Sequence, residues 1–127
     1  MLSQLGDTEV QVQFQPHLLP IDRGILATCY ARPRAGLDAA TLEKAYREDY
    51  AAEPFVRWRT EPPTVKQVRG SNFCDVHAHL DERTGRVIVL SAIDNLVKGA
   101  AGQALQNLNL IMGWPETAGL EQGPLNP

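Results

Sequence analysis

The sequence holds only two cysteines, Cys29 and Cys74, too few for a disulfide framework. Both sit among apolar neighbours, which predicts reduced, buried thiols. Long apolar runs are missing as well. The richest stretch, 105–114, is interrupted by Gln106, Asn107 and Asn109, and a membrane-spanning helix needs about 20 apolar residues. Residues 1–6 lack the basic start and apolar segment of a secretory signal. There is no excess of positive charge: 12 Lys and Arg stand against 15 Asp and Glu, for a net charge of −3. The cations are scattered rather than gathered into a basic patch, which argues against a nucleic-acid partner. Internal repeats and low-complexity tracts are absent too. These absences together predict a soluble, cytoplasmic protein with no membrane partner. What remains is ordinary globular composition, 43% hydrophobic and 21% charged over 127 residues. That length suits one domain, because roughly two-thirds of the unfolded surface is buried at this size.

The pattern of apolar residues predicts an α+β domain, a mainly antiparallel sheet with helices on one face. Val10, Val12 and Phe14 alternate with Gln11, Gln13 and Gln15, the period of a half-buried strand. Pro16 and Pro20 bracket a loop carrying His17. Residues 24–31 are dense in apolar and β-branched side chains and predict a buried strand. Asp38 is a good N-cap, and Leu42, Ala45, Tyr46 and Tyr50 recur at helical spacing over 39–52, before Pro54. Residues 55–59 and 65–69 predict short strands on either side of Glu61-Pro62-Pro63. Residues 73–81 and 86–93 flank the turn Asp81-Glu82-Arg83-Thr84-Gly85 and predict a β-hairpin. In its first strand Cys74, Val76, Ala78 and Leu80 face one way, and Asp75, His77 and His79 the other. A helix follows over 98–112, with Gly113 in the left-handed position after it and Pro115 beyond. Residues 116–127 read as a polar surface tail.

Several groups could carry chemistry. Asp94-Asn95-Leu96-Val97-Lys98-Gly99-Ala100-Ala101-Gly102 joins a strand to a helix start rich in small residues. Unpaired amides there favour an anion, Lys98 adds a cation, Asn95 offers a donor and an acceptor, and glycine lets a flat ligand or a backbone approach. The same pattern also serves a helix packed tightly on a neighbouring domain. Arg23, and Arg69 with Gly70-Ser71-Asn72, offer guanidinium, hydroxyl and turn amides that suit a phosphate, or simply close loops. His77 and His79 share a strand face, as zinc ligands can, but Cys74 points away and no further ligand stands at suitable spacing. A polar face is the plainer reading. Cys29 lies mid-strand without a charged neighbour to activate it, which predicts an inert core thiol. His17 suits a surface or capping role as well as a catalytic one.

Three segments together resemble the C-terminal half of N-acetyl-gamma-glutamyl-phosphate reductases. They are Pro16-His17-Leu18-Leu19-Pro20 with Arg23-Gly24-Ile25-Leu26-Ala27-Thr28; Gly70-Ser71-Asn72; and the long run from Ser91 to Leu110, continued by Gly113-Trp114-Pro115-Glu116-Thr117. The resemblance implies the C-terminal domain of a glyceraldehyde-3-phosphate-dehydrogenase-like reductase of arginine biosynthesis. In that family a cysteine thiolate attacks an acyl phosphate, and the thioester is reduced by NADPH to a semialdehyde with a histidine as acid and base. The family's Gly-Cys-Tyr-Pro-Thr and His-Arg-His segments and its glycine-rich dinucleotide fingerprint do not occur here. Cys29 and His17 therefore inherit no catalytic role, and the isolated chain is expected to be inactive without an N-terminal dinucleotide-binding half. By resemblance, Asn95, Lys98, Gly99 and Gly102 approach NADP, and Arg23, Ser71 and Asn72 shape the acyl-phosphate pocket. Two alternatives stand beside this one. One is a related reductase of carrier-bound aminoadipyl phosphate in lysine biosynthesis. The other is a non-catalytic module that self-associates through the helix face of Ala101, Leu105, Leu108 and Met112. A homo-oligomer through the sheet is expected in either reductase.

Overall fold

A computed structural model describes residues 9–125 of the chain, and the expected hairpin lies at its centre. Strand β3 (Cys74–Asp81) and strand β4 (Arg86–Ile93) pair antiparallel, from Cys74 opposite Ile93 to Asp81 opposite Arg86. Asp81 closes the turn: its carboxylate accepts the Thr84 hydroxyl at 2.5 Å and its carbonyl accepts the Gly85 amide at 2.7 Å. Gly85 has φ 64°, which glycine adopts without steric cost. Strand β1 (Ile25–Ala31) pairs antiparallel with the other edge of β4, and strand β2 (Val56–Trp58) runs parallel beside β3. The sheet order is β1-β4-β3-β2. The expected α+β class and mainly antiparallel sheet are what the chain forms, with one parallel pair.

Helix α1 (Ala39–Asp49) begins where Asp38 was expected to cap it, and the Asp38 carboxylate accepts the Thr41 amide at 2.7 Å. Its Leu42 meets Ala78 of β3 and Val87 of β4, with Leu37, Tyr46, Trp58, Leu80 and Val89 packed around them. Burying an aliphatic side chain of this size stabilises by about 1.5–3 kcal/mol. This cluster ties α1 to one face of the hairpin. A 3-10 helix, Val65–Val68, covers part of the opposite face, where Val68, Asp75 and Ala92 are fully buried.

Five local expectations need correction. Residues 10–15 form no strand, and Phe14 is 83% exposed; alternation makes a strand only where a neighbouring edge offers a ladder, and no described strand pairs with this segment. Strand β1 forms, but as an edge: Ile25, Leu26, Cys29 and Tyr30 are exposed, so Cys29 is no core thiol. Residues 65–68 are a 3-10 helix, because the Gln67 side chain accepts the Thr64 amide at 2.9 Å and so satisfies a helix start. The α1 helix stops at Asp49 rather than Ala52; its last carbonyls are met by turn bonds, with Glu48 accepting the Ala51 amide at 3.3 Å. On β3 the expected polar face is solvated only in part. Asp75 is fully buried, paired with Arg57 Nε at 2.6 Å, while the Arg57 guanidinium lies 4.3 Å from the centre of the Phe73 ring.

Candidate functional site

Asp94 follows directly on β4 and is fully buried. Its Oδ1 accepts the amides of Leu96 and Val97 at 2.8 and 3.0 Å. Its Oδ2 accepts the Gly70 amide at 2.6 Å and lies 2.7 Å from Arg23 Nε. Burial opposes ionisation of this carboxyl, but the three amides and the guanidinium outweigh it and hold its pKa below the ordinary 3.8. The next residue repeats the link, since Asn95 Oδ1 accepts the Gly24 amide at 2.7 Å. Two adjacent side chains thereby fasten 23–24, 70 and 95–97 to the end of the central strand. Asp94 is the residue that sequence reasoning left without a role. Its signal was present: an Asp just before a helix start is a helix-start signature.

The expected helix starts one residue early and differently. Residues Val97–Ala101 form a π turn, and helix α2 runs Gly102–Met112. The Gly99 amide donates to the Asp94 carbonyl at 2.8 Å and the Ala101 amide to the Leu96 carbonyl at 3.1 Å, each five residues back. Such turns recur at functional sites. Gly99, Ala100 and Ala101 are exposed here, while Gly102 is buried. A Cβ on Gly102 would stand 2.4 Å from Asn72 Oδ1 and 2.7 Å from the Val97 carbonyl oxygen. Gly102 therefore lets the helix close on the 70–72 loop.

Helix α2 turns two of its amide side chains, Gln106 and Asn109, inward and leaves Asn107 exposed. Gly102, Gln106 and Asn109, spaced i, i+4, i+7, are its buried residues. Gln106 Oε1 accepts from Asn72 Nδ2 at 2.9 Å and from Lys98 Nζ at 2.7 Å, and Gln106 Nε2 donates to Glu116 at 2.5 Å. Asn109 Nδ2 donates to the carbonyls of Glu116 and Ala118 at 3.1 and 2.9 Å. Gly113 takes the left-handed position expected of it, with φ 68°. The segment after it is held by these bonds rather than lying as a free tail. Outward, the helix shows Leu108, Leu110, Ile111 and Met112, followed by Trp114. Leu108 and Met112 were expected on that apolar face; Leu105 is half-buried. The buried amide stripe was legible in the spacing of 102, 106 and 109, but apolar count masked it.

The candidate residues thus divide. Asn95 and Lys98 are half-buried at the strand–helix junction, and burial pushes the Lys98 ammonium pKa down. Ser71 and Asn72 are 1% exposed and turned inward, the Ser71 hydroxyl donating to the Val68 carbonyl at 2.8 Å. Arg23 keeps 27% side-chain exposure and lines a cavity of about 350 Å³ with Pro20, Ile21, Asp22, Val65, Lys66 and Arg69. His17 is exposed, and His77 Nδ1 lies 3.0 Å from the Arg59 carbonyl oxygen. Burial pushes the Cys74 thiol pKa up, the opposite of activation. No group of three His, Cys, Asp or Glu suited to a metal occurs among the described residues.

A family model described as the semialdehyde dehydrogenase dimerisation domain matches residues 1–95. The chain is 54% identical over 128 residues to an N-acetyl-gamma-glutamyl-phosphate reductase of Citrifermentans bemidjiense, and 56% identical to those of Geobacter metallireducens and Symbiobacterium thermophilum. Each match covers 99% of this chain and 37% of the relative, so the chain spans a little over a third of their length. Those names give no support to the aminoadipyl alternative. A crystal structure of aspartate semialdehyde dehydrogenase II from Vibrio cholerae superposes with a TM-score of 0.60 over 75% of this chain and 29% of that one. At 21% identity it shows a shared fold.

Proposed function

The chain belongs to the semialdehyde dehydrogenase dimerisation-domain family, and from that premise we propose that it is the C-terminal portion of an NADP-dependent reductase making N-acetylglutamate semialdehyde from N-acetyl-gamma-glutamyl phosphate. The relatives' identity over 99% of the chain supports the reaction. The observation that carries the site is the Asp94 junction, which fixes Arg23 and the start of α2 to one strand end. In this reading the nucleophilic thiolate and the dinucleotide fold come from an N-terminal portion, and the enzyme works in the cytoplasm.

The junction fits a nicotinamide dinucleotide in its chemistry. Exposed Gly99 and Ala100 let a flat ring lie close, Lys98 supplies positive charge, and Asn95 retains an amide donor after its oxygen engages Gly24. When bound, NADPH supplies the hydride. The chain's own residues orient and exclude water. Gly102, Ser71 and Asn72 act from below, by shape, while Arg23 faces the acyl phosphate. A preorganised guanidinium steadies charge on the departing phosphate without rearranging, which is where electrostatic stabilisation is largest.

The test joins this chain to the N-terminal portion of a relative and measures phosphate-dependent NADP reduction from N-acetylglutamate semialdehyde. Activity is expected in the joined protein and none from this chain alone, with Lys98→Ala raising the KM for NADP about tenfold, one lost charged contact. Turnover by the isolated chain, or a joined protein inert toward this substrate, sinks the reading.

A further inference from the structure

The two histidines of β3 stand side by side. Two residues apart on the strand, His77 and His79 share a face, with ring centres 5.3 Å apart and planes inclined at 36°. Two imidazole nitrogens held about 2.0–2.1 Å from a tetrahedral ion place their ring centres about 5 Å apart, so the observed spacing suits one shared ion. The His77 ring is also fixed in place. Its Nδ1 lies 3.0 Å from the Arg59 carbonyl oxygen, which can only accept, so in the neutral ring Nδ1 carries the proton and Nε2 keeps a free lone pair. A metal-ligating histidine commonly donates its other ring N–H to a carbonyl in this way, since the bond sets tautomer and orientation and raises the basicity of the ligand nitrogen. Trp58 stacks on the same ring, 6.0 Å away at 28°, and Tyr46 backs Trp58 at 5.4 Å. His79 is exposed to solvent. Asp81 follows at the next position of that face, and its carboxylate, bonded to the Thr84 hydroxyl and the Arg83 amide, is close enough to His79 to add negative charge.

We propose that His77 Nε2 and a ring nitrogen of His79 bind one transition-metal dication of the zinc or nickel class, with water in the remaining positions. Two protein ligands are fewer than a structural zinc site uses, so the ion is exchangeable and its outer side stays open. Imidazole suits such ions, whereas magnesium and calcium take oxygen ligands. The inference does not rest on the reductase reading. Sequence spacing shows the pair, but it cannot show the carbonyl that fixes His77, because Arg59 lies 18 residues away.

Calorimetric titration of this chain with zinc chloride, at constant ionic strength, tests the assignment. One ion per chain is expected, and excess Mg²⁺ should not compete for it. His79→Gln, on an exposed side chain that the fold does not need, should weaken binding at least tenfold, and His77→Gln should do the same. His17→Gln and Cys29→Ser remove the other exposed soft donors and should leave binding unchanged. A second readout uses the Trp58 stack: in a Trp114→Phe background, paramagnetic Ni²⁺ should quench the remaining fluorescence, and His79→Gln should abolish the quenching. No saturable zinc binding, binding that survives His79→Gln, binding lost with His17→Gln or Cys29→Ser, or displacement by Mg²⁺ overturns the proposal.

Discussion

Asp94 shows how much one carboxylate can organise when every lone pair is used. Replacing it with Asn removes the charge beneath Arg23 and leaves a guanidinium without its partner. Breaking a buried ion pair costs about 3–5 kcal/mol, and the partial exposure of Arg23 places Asp94→Asn at about 3 kcal/mol. Urea denaturation near neutral pH would read this as a lower midpoint. The sign of the pH effect follows from the depressed pKa. Asp94 contributes its full stabilisation above the ordinary 3.8 and loses it as pH falls through the lower folded value. Between about pH 5 and about pH 2 the native chain should therefore lose more stability than Asp94→Asn does. Equal losses would show that the carboxylate is not ionically engaged. At this scale the sequence was half legible. The Asp38 cap and Gly113 stood out because their roles are local, satisfied within three or four residues. The local half of Asp94's role, its bonds to the Leu96 and Val97 amides, was legible as a helix-start signature, but its link to Gly70, 24 residues away, was hidden, as were those of Asn72 to Gln106, 34 away, and of Asn95 to Gly24, 71 away.

Among elements, the hairpin and α1 could be read from period alone, since each buries an apolar stripe against the other. Strand β1 and helix α2 could not be read for burial. Their apolar residues predict a buried face, yet much of that surface is open within this chain. Helix α2 is instead anchored by directional bonds. Asn109→Ala would strand the carbonyls of Glu116 and Ala118, at a cost of about 1–3 kcal/mol. Hydrogen exchange should then show protection lost in the Ala118 and Leu120 amides before the β3–β4 ladder changes. A variant that loosened the hairpin equally would mean that the amide holds no separate unit.

For the whole molecule, the sheet face carrying Leu26 and Tyr30 of β1, beside Ile88 and Leu90 of β4, is the surface to expect between two copies. Sedimentation should find a dimer that Leu26→Glu with Tyr30→Glu dissociates by at least tenfold in Kd while the thermal midpoint of the monomer holds. A native chain that stays monomeric at all accessible concentrations would remove this sheet from consideration.

The inward amides of α2 also set how the helix may rotate. Apolar side chains slide past one another with little penalty, whereas Gln106 and Asn109 meet fixed oxygen and nitrogen atoms. A turn of the rod about its axis would break every one of those bonds together. Whatever rests against Leu108 and Ile111 consequently docks onto a keyed shaft, whose outer profile is determined from within.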